Sequence, residues 1–176
     1  MSHKKLDYAI AFLSIALMAT PAVAADRKPT ALLINGFMQY QPDILTPLAQ
    51  LGWKLEQQGW RVVIDTHLGI QSGGEEPVVI IAHSAGGATA LEIAKRQVDQ
   101  AKFHPAVIML DAAPRWGSVY RCHVKHCVNI KTPGYPDIRG AKNVPVRIGL
   151  LGHVRLATSD HVQQMILRET APLLHD

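Results

Sequence analysis

The 176-residue sequence predicts an α/β fold, a mostly parallel sheet of about six strands flanked by helices. Three observations carry this expectation. Short apolar runs alternate along the chain with stretches of helical spacing. The runs are nearly continuous rather than alternating in polarity, as strands covered on both faces must be. Turn-forming glycine, asparagine and proline punctuate them.

Residues 30–36, "TALLING", form the first predicted strand, ended by Asn35-Gly36. In "ILTPLAQLGWKLEQQG", residues 44–59, apolar side chains stand at 44, 45, 48, 51, 53 and 55, a helical spacing that stops at Gly59. "WRVVIDTH" (60–67) and "PVVIIAH" (77–83) are the second and third strands. "AGGATALEIAKRQVDQAK" (85–102) is a helix with Ala88, Leu91 and Val98 on its inward face. "PAVIMLD" (105–111) is the fourth strand, "CVNIK" (127–131) a weaker fifth and "VPVRIGLLG" (144–152) a sixth. "SDHVQQMILRETAPLL" (159–174) closes the chain as a helix, with Ser159 or Asp160 as N-cap. The connection at 68–77 and the segment after the fourth strand are too short for a regular helix. No repeat, low-complexity tract or second domain is visible.

The N-terminus reads differently. Lys4 and Lys5 precede an apolar run from Tyr8 to Met18, and Ala22-Val23-Ala24 follows. This basic, apolar, small-residue succession is that of a secretory signal peptide, residues 1–24. The alternative, a membrane anchor, needs a longer run, because about 20 apolar residues are required to span the bilayer as a helix. The expected product is an exported protein, periplasmic or secreted, with residues 25–176 as one domain and no stable membrane insertion. A chain of that length can bury about two thirds of its unfolded surface.

The formal charge is +4, and +3 without Lys4, Lys5 and Asp7. The charges are scattered, with no basic face interleaved with aromatics, so nucleic acid is not an expected partner. The two cysteines lie in "RCHVKHC", at 122 and 127. In an oxidising compartment a disulfide between them is the expected state. Free thiols or a metal site including His123 and His126 are the alternatives, the latter crowded because zinc ligands usually come from two separated segments.

"VVIIAHSAGGATALEIA", residues 78–94, places Ser84 between a strand and a helix. Ala82-His83-Ser84-Ala85-Gly86 resembles the G-x-S-x-G nucleophile elbow of α/β-hydrolases, with alanine at the first glycine position. A serine on so tight a turn needs small neighbours, and Ala82 and Gly86 are small. The turn also sets the N–H of Ala85 at a helix start, where an oxyanion is favoured. The alternative is a serine that caps the helix while the glycines allow close packing. His83 reads as structural, with its side chain directed away from the serine.

In that family the chain order is serine, acid, histidine. Of the downstream histidines at 104, 123, 126, 153, 161 and 175, only His153 immediately follows a predicted core strand. "AHSAGG" together with "GAKNVPVRIGLLGHVRLATSDHVQQMI" is similar to the small, lidless bacterial lipases, whose base lies in a Gly-His-apolar segment matched by Gly152-His153-Val154. The resemblance is specific at the elbow and the histidine segment only. Where those lipases carry their acid this chain has Tyr135, with Asp137 two residues on. The other candidate is Asp111 in "MLDAAPRW", similar to the acid segment of pancreatic-type lipases and favoured over Asp137. As bland alternatives, Asp111 would cap a turn and Asp137 would be a Pro-Asp turn residue. In "LLINGFMQY" Asn35 replaces the histidine of the family's His-Gly pattern. The resemblance implies Phe37 N–H as the second oxyanion donor, with Phe37, Met38 and Tyr40 lining an acyl pocket.

The resemblance thus implies a serine esterase or lipase acting on a small-molecule ester or lipid, with Ser84, His153 and Asp111 or Asp137 as its triad and no cofactor or metal. Thioesters and amides use the same machinery. The competing expectation is a non-catalytic exported binding or structural protein on a degenerate form of this fold.

Overall fold

A computed structural model describes residues 28–37, 48–70, 72, 74–100, 104–113 and 120–175. The expected signal peptide, Met38, Tyr40 and the first residues of the first helix lie outside the described residues.

Six strands form one parallel sheet in the order β2-β1-β3-β4-β5-β6: β1 Thr30–Asn35, β2 Arg61–Thr66, β3 Val79–His83, β4 Ala106–Leu110, β5 Cys127–Lys131 and β6 Lys142–Pro145. Helix α1, Ala49–Gln57, joins β1 to β2, and α2, Gly86–Asp99, joins β3 to β4. The chain steps outward from β1 to β2, then crosses back to β3 on the other side of β1. Right-handed crossovers running in opposite directions put their helices on opposite faces. The packing agrees. Leu33, Ile81, Ile108 and Ile130 of the strands pack with Leu51 and Leu55 of α1. The alternate residues Leu32, Ile80, Val107 and Met109 pack with Ala90 and Ile93 of α2. All eight strand residues are shielded from solvent, each worth roughly 1.5–3 kcal/mol of apolar burial.

The described residues just before β5 also cover the α2 face. Cys122 and Cys127 are joined, with Sγ atoms 2.11 Å apart and Cα atoms 6.5 Å apart. Both half-cystines, with Val124 and Ile138, pack into the α2-side core. The two sulfurs are bonded to each other rather than available to a metal.

The last strand departs from expectation. It was expected over 144–152 as a core strand, but β6 ends at Pro145 and is the partly exposed edge of the sheet. Proline has no N–H for a ladder and suits an edge. Val146 N–H still bonds Lys131 O (2.8 Å). Gly149 and Leu151 then adopt left-handed φ of 63° and 62° and turn the chain away from the sheet. His153 therefore does not immediately follow a strand; it sits in a short helix α3, Gly152–Leu156. The expected closing helix is α4, Asp160–Thr170, followed by a 3-10 turn, Ala171–Leu174, with Pro172 in its first turn.

Candidate functional site

The step from β1 to β3 is the point where the strand order reverses, and in open α/β sheets ligands bind beyond the carboxyl ends of the strands at such a point. Ser84 follows β3 there. Its φ is 54°, left-handed for a residue with a side chain, a conformation that costs about 1–3 kcal/mol. The turn is pinned on both sides. Ser84 N–H donates to Leu110 O (2.9 Å), and Ser84 O accepts from Gly87 N–H and Ala113 N–H (3.0 Å each).

The glycines are required by close approach. A Cβ on Gly86 would stand 2.5 Å from Ile34 O, and one on Gly36 would stand 2.8 Å from Ser84 Cβ. The loop after β1 is thus pressed against the serine, and Phe37 is the next residue. On the other side, Ala85 sits at the start of the 14-residue α2, where the aligned backbone N–H groups make the potential positive.

Asp111, directly after β4, has the second strained backbone, φ 45°, and is fully buried. Its Oδ1 accepts from Thr132 N–H (2.6 Å) and its Oδ2 from the Thr132 hydroxyl (2.7 Å). The same Oδ2 lies 3.2 Å from His153 Nδ1. A carboxylate removed from water needs such donors, and the pairing directs Nδ1–H of His153 to Asp111 and leaves Nε2 as the nitrogen for other chemistry. Asp137 does not meet the histidine. It pairs with Lys131 Nζ (2.6 Å) with its side chain 71% exposed. Lys131 also donates to Tyr135 O (2.9 Å), so Asp137 braces the turn that carries Tyr135.

Two residues not expected to matter hold the His153 ring. His83 Nε2–H donates to His153 O (3.0 Å), and the two imidazoles stack with centroids 4.8 Å apart and planes 25° apart. Tyr135 stacks on the same imidazole at 4.7 Å and 12°. His83 does serve the structure, as the sequence suggested, but the part it supports is His153. Burial, then the neighbouring His153 charge, lowers its pKa from 6.5 to about 4, so at neutral pH it is an uncharged donor. Burial and the Asp111 charge raise the Tyr135 phenol, which stays protonated. A signal for His83 was available in its alternation with Val79 and Ile81, which sets it on the α1 and α4 face of the sheet. Nothing local announced that α3 would return over it.

Among the described residues Ser84 Oγ and the His153 ring share no hydrogen bond. The two are linked through His83, the chain neighbour of one and the stacking partner of the other. Such bonds are often long without substrate. Leu151 and Val154 beside His153, and Phe37 next to Gly36, expose apolar side chains. No described helix is long and apolar enough to cross a membrane, and the described residues contain no group of three or more His, Cys, Asp or Glu placed to hold a metal ion. Compared with known proteins, the chain matches no protein-family model, no curated protein and no solved structure, so the reading of this site rests on its residues and their geometry.

Proposed function

We propose that the protein is an exported serine hydrolase of α/β-hydrolase type that cleaves carboxylic esters. The observation that carries this reading is the convergence at one sheet edge of a left-handed Ser84 with a His153 imidazole paired to a fully buried Asp111. Ser84 Oγ attacks the acyl carbon while His153 Nε2 takes its proton. Asp111 stabilises the resulting imidazolium. The backbone N–H groups of Ala85 and Phe37 receive the oxyanion. The intermediate collapses as Nε2 returns the proton to the leaving alcohol. Water, deprotonated by His153, then releases the carboxylic acid and restores Ser84. The oxidised Cys122–Cys127 pair is in keeping with export.

A non-catalytic binding protein on the same fold has one observation in its favour, the missing Ser84–His153 hydrogen bond. Against it stand two strained non-glycine residues and a buried carboxylate, features that lower stability and that a purely structural protein gains nothing by retaining. The test is hydrolysis of short-chain p-nitrophenyl esters by the folded, oxidised protein. Turnover with a burst of nitrophenol equal to the enzyme concentration, or steady turnover lost in Ser84→Ala, is the expected result. No hydrolysis above the buffer rate would support the binding protein instead.

A further inference from the structure

Beside His153 the surface is indented by a cavity of about 520 Å3, a size typical of small-ligand clefts. Its walls include Tyr135, Ile148, Leu151 and Val154, and His153 forms part of them, whereas Ser84 does not. Apart from His153, the cavity is lined by a single ionisable cation, Arg147, and by no acidic side chain. Among the described residues Arg147 has no ion-pair partner. The carboxylates that could neutralise this corner are engaged: Asp111 by Thr132 and His153, Asp137 by Lys131.

The chemistry of acyl transfer says which half of a substrate belongs there. The acyl group remains on Ser84, while the leaving oxygen must come to His153 Nε2 to collect its proton. A cavity walled by the histidine and not by the serine is therefore placed for the leaving alcohol. Resting on the ester-hydrolase reading, we propose that this cavity is the leaving-group subsite and that it selects alcohols bearing an anionic group, a carboxylate or a phosphate, on an apolar stem. The stem lies against Ile148, Leu151 and Val154. The anion meets the guanidinium of Arg147, whose planar fork suits either oxyanion. The overall reaction is ester plus water giving a carboxylic acid and the anionic alcohol, with no further reactant.

The experiment compares four esters of one short acyl group, with alcohols that are neutral, carboxylate-bearing, phosphate-bearing or ammonium-bearing. The readout is the ratio of kcat/KM for each charged ester to that of the neutral one, so a general loss of activity cancels. The wild type is expected to favour an anionic ester by about tenfold, as a charge-assisted hydrogen bond can supply, and to disfavour the ammonium ester. The carboxylate and phosphate arms identify which anion is preferred. Arg147→Leu should collapse the anionic preference, Arg147→Lys should keep most of it, and Arg147→Glu should reverse it toward the ammonium ester. Cleavage of all four esters at similar rates, or a preference that survives Arg147→Leu, would overturn the subsite while leaving ester hydrolysis intact. Failure to cleave any ester, together with failure of a fluorophosphonate to label Ser84, would overturn both.

Discussion

The two edges of the sheet differ in a way that separates space from chemistry. At the N-terminal edge, Lys28, Thr30, Trp60, Arg61, Glu75 and Val78 help to line a cavity of about 970 Å3, larger than the one beside His153. Its lining has no histidine and no fully buried carboxylate, and its Arg61 is paired with Glu75. The C-terminal edge has the smaller cavity, yet Ser84, Asp111 and Leu151, the non-glycine residues with positive φ among those described, all lie at that edge or in the loop delivering His153. Volume marks where the chain leaves room. Strained backbone and buried charge mark where the chain gives up stability, and such places are where function is to be sought.

The comparison breaks first if the C-terminal edge is inert. Ser84→Ala and His153→Ala should each lower kcat on p-nitrophenyl esters by on the order of 10⁴ to 10⁶, with the fold retained by circular dichroism. Next comes the carboxylate. Asp111→Asn should cost about 10⁴ in turnover, because the imidazole loses the partner that sets its tautomer. Asp137→Asn should cost less than about tenfold, since it only loosens an exposed brace on the Tyr135 turn. The reverse order, read as kcat/KM at equal folded concentration, would move the acid to the turn after β5.

His83 sharpens the comparison at an intermediate scale. His83→Phe keeps an aromatic ring against His153 and removes the donor, and should lower kcat by about 10- to 100-fold, the cost of a lost buried hydrogen bond. His83→Gln, which can restore a donor near the Nε2 position, should recover part of this. Equal activity of both with the wild type would leave His83 a packing residue. His83 also links the site to pH. Its folded pKa, about 4, is below the unfolded value of 6.5. Its contribution to stability is therefore present above pH 6.5 and lost as pH falls from 6.5 toward 4. The urea midpoint should decline over that window more steeply in the wild type than in His83→Phe.

The smallest effect belongs to the opposite edge. Arg61→Ala removes a half-exposed ion pair with Glu75 and the Nε–H bond to Thr30 Oγ1, and should change unfolding free energy by about 1–2 kcal/mol. Ester turnover should not change; a large loss would mean that the larger cavity takes part in the reaction.

The sequence made the fold legible where burial is continuous. β1, β3 and β4 are buried throughout and carry near-continuous apolar runs because both faces of the sheet are covered, and the elbow is legible because the small Ala82 and Gly86 flank Ser84 between a strand and a helix. At β6 the pattern misleads: Ile148, Leu150 and Leu151 extend the apolar run, whereas Pro145 ends the edge pairing and Gly149 and Leu151 turn out of the sheet. Asp111 could be ranked above Asp137 from its place at a strand end, but its contact with His153 depends on α3, 42 residues later. The His83 and Tyr135 stacking was out of reach for the same reason. These contacts are made between distant segments, and local pattern carries no record of them.

The most direct test of the central claim is to react the intact, oxidised protein with a fluorophosphonate and locate the adduct by peptide mass spectrometry. A serine raised in nucleophilicity by its histidine reacts, and a serine that merely begins a helix does not. A single adduct on Ser84 is predicted, absent in Ser84→Ala, strongly slowed in His153→Ala and Asp111→Asn, and unchanged in Arg61→Ala. A folded protein left unlabelled, or labelled at a residue other than Ser84, would contradict the account.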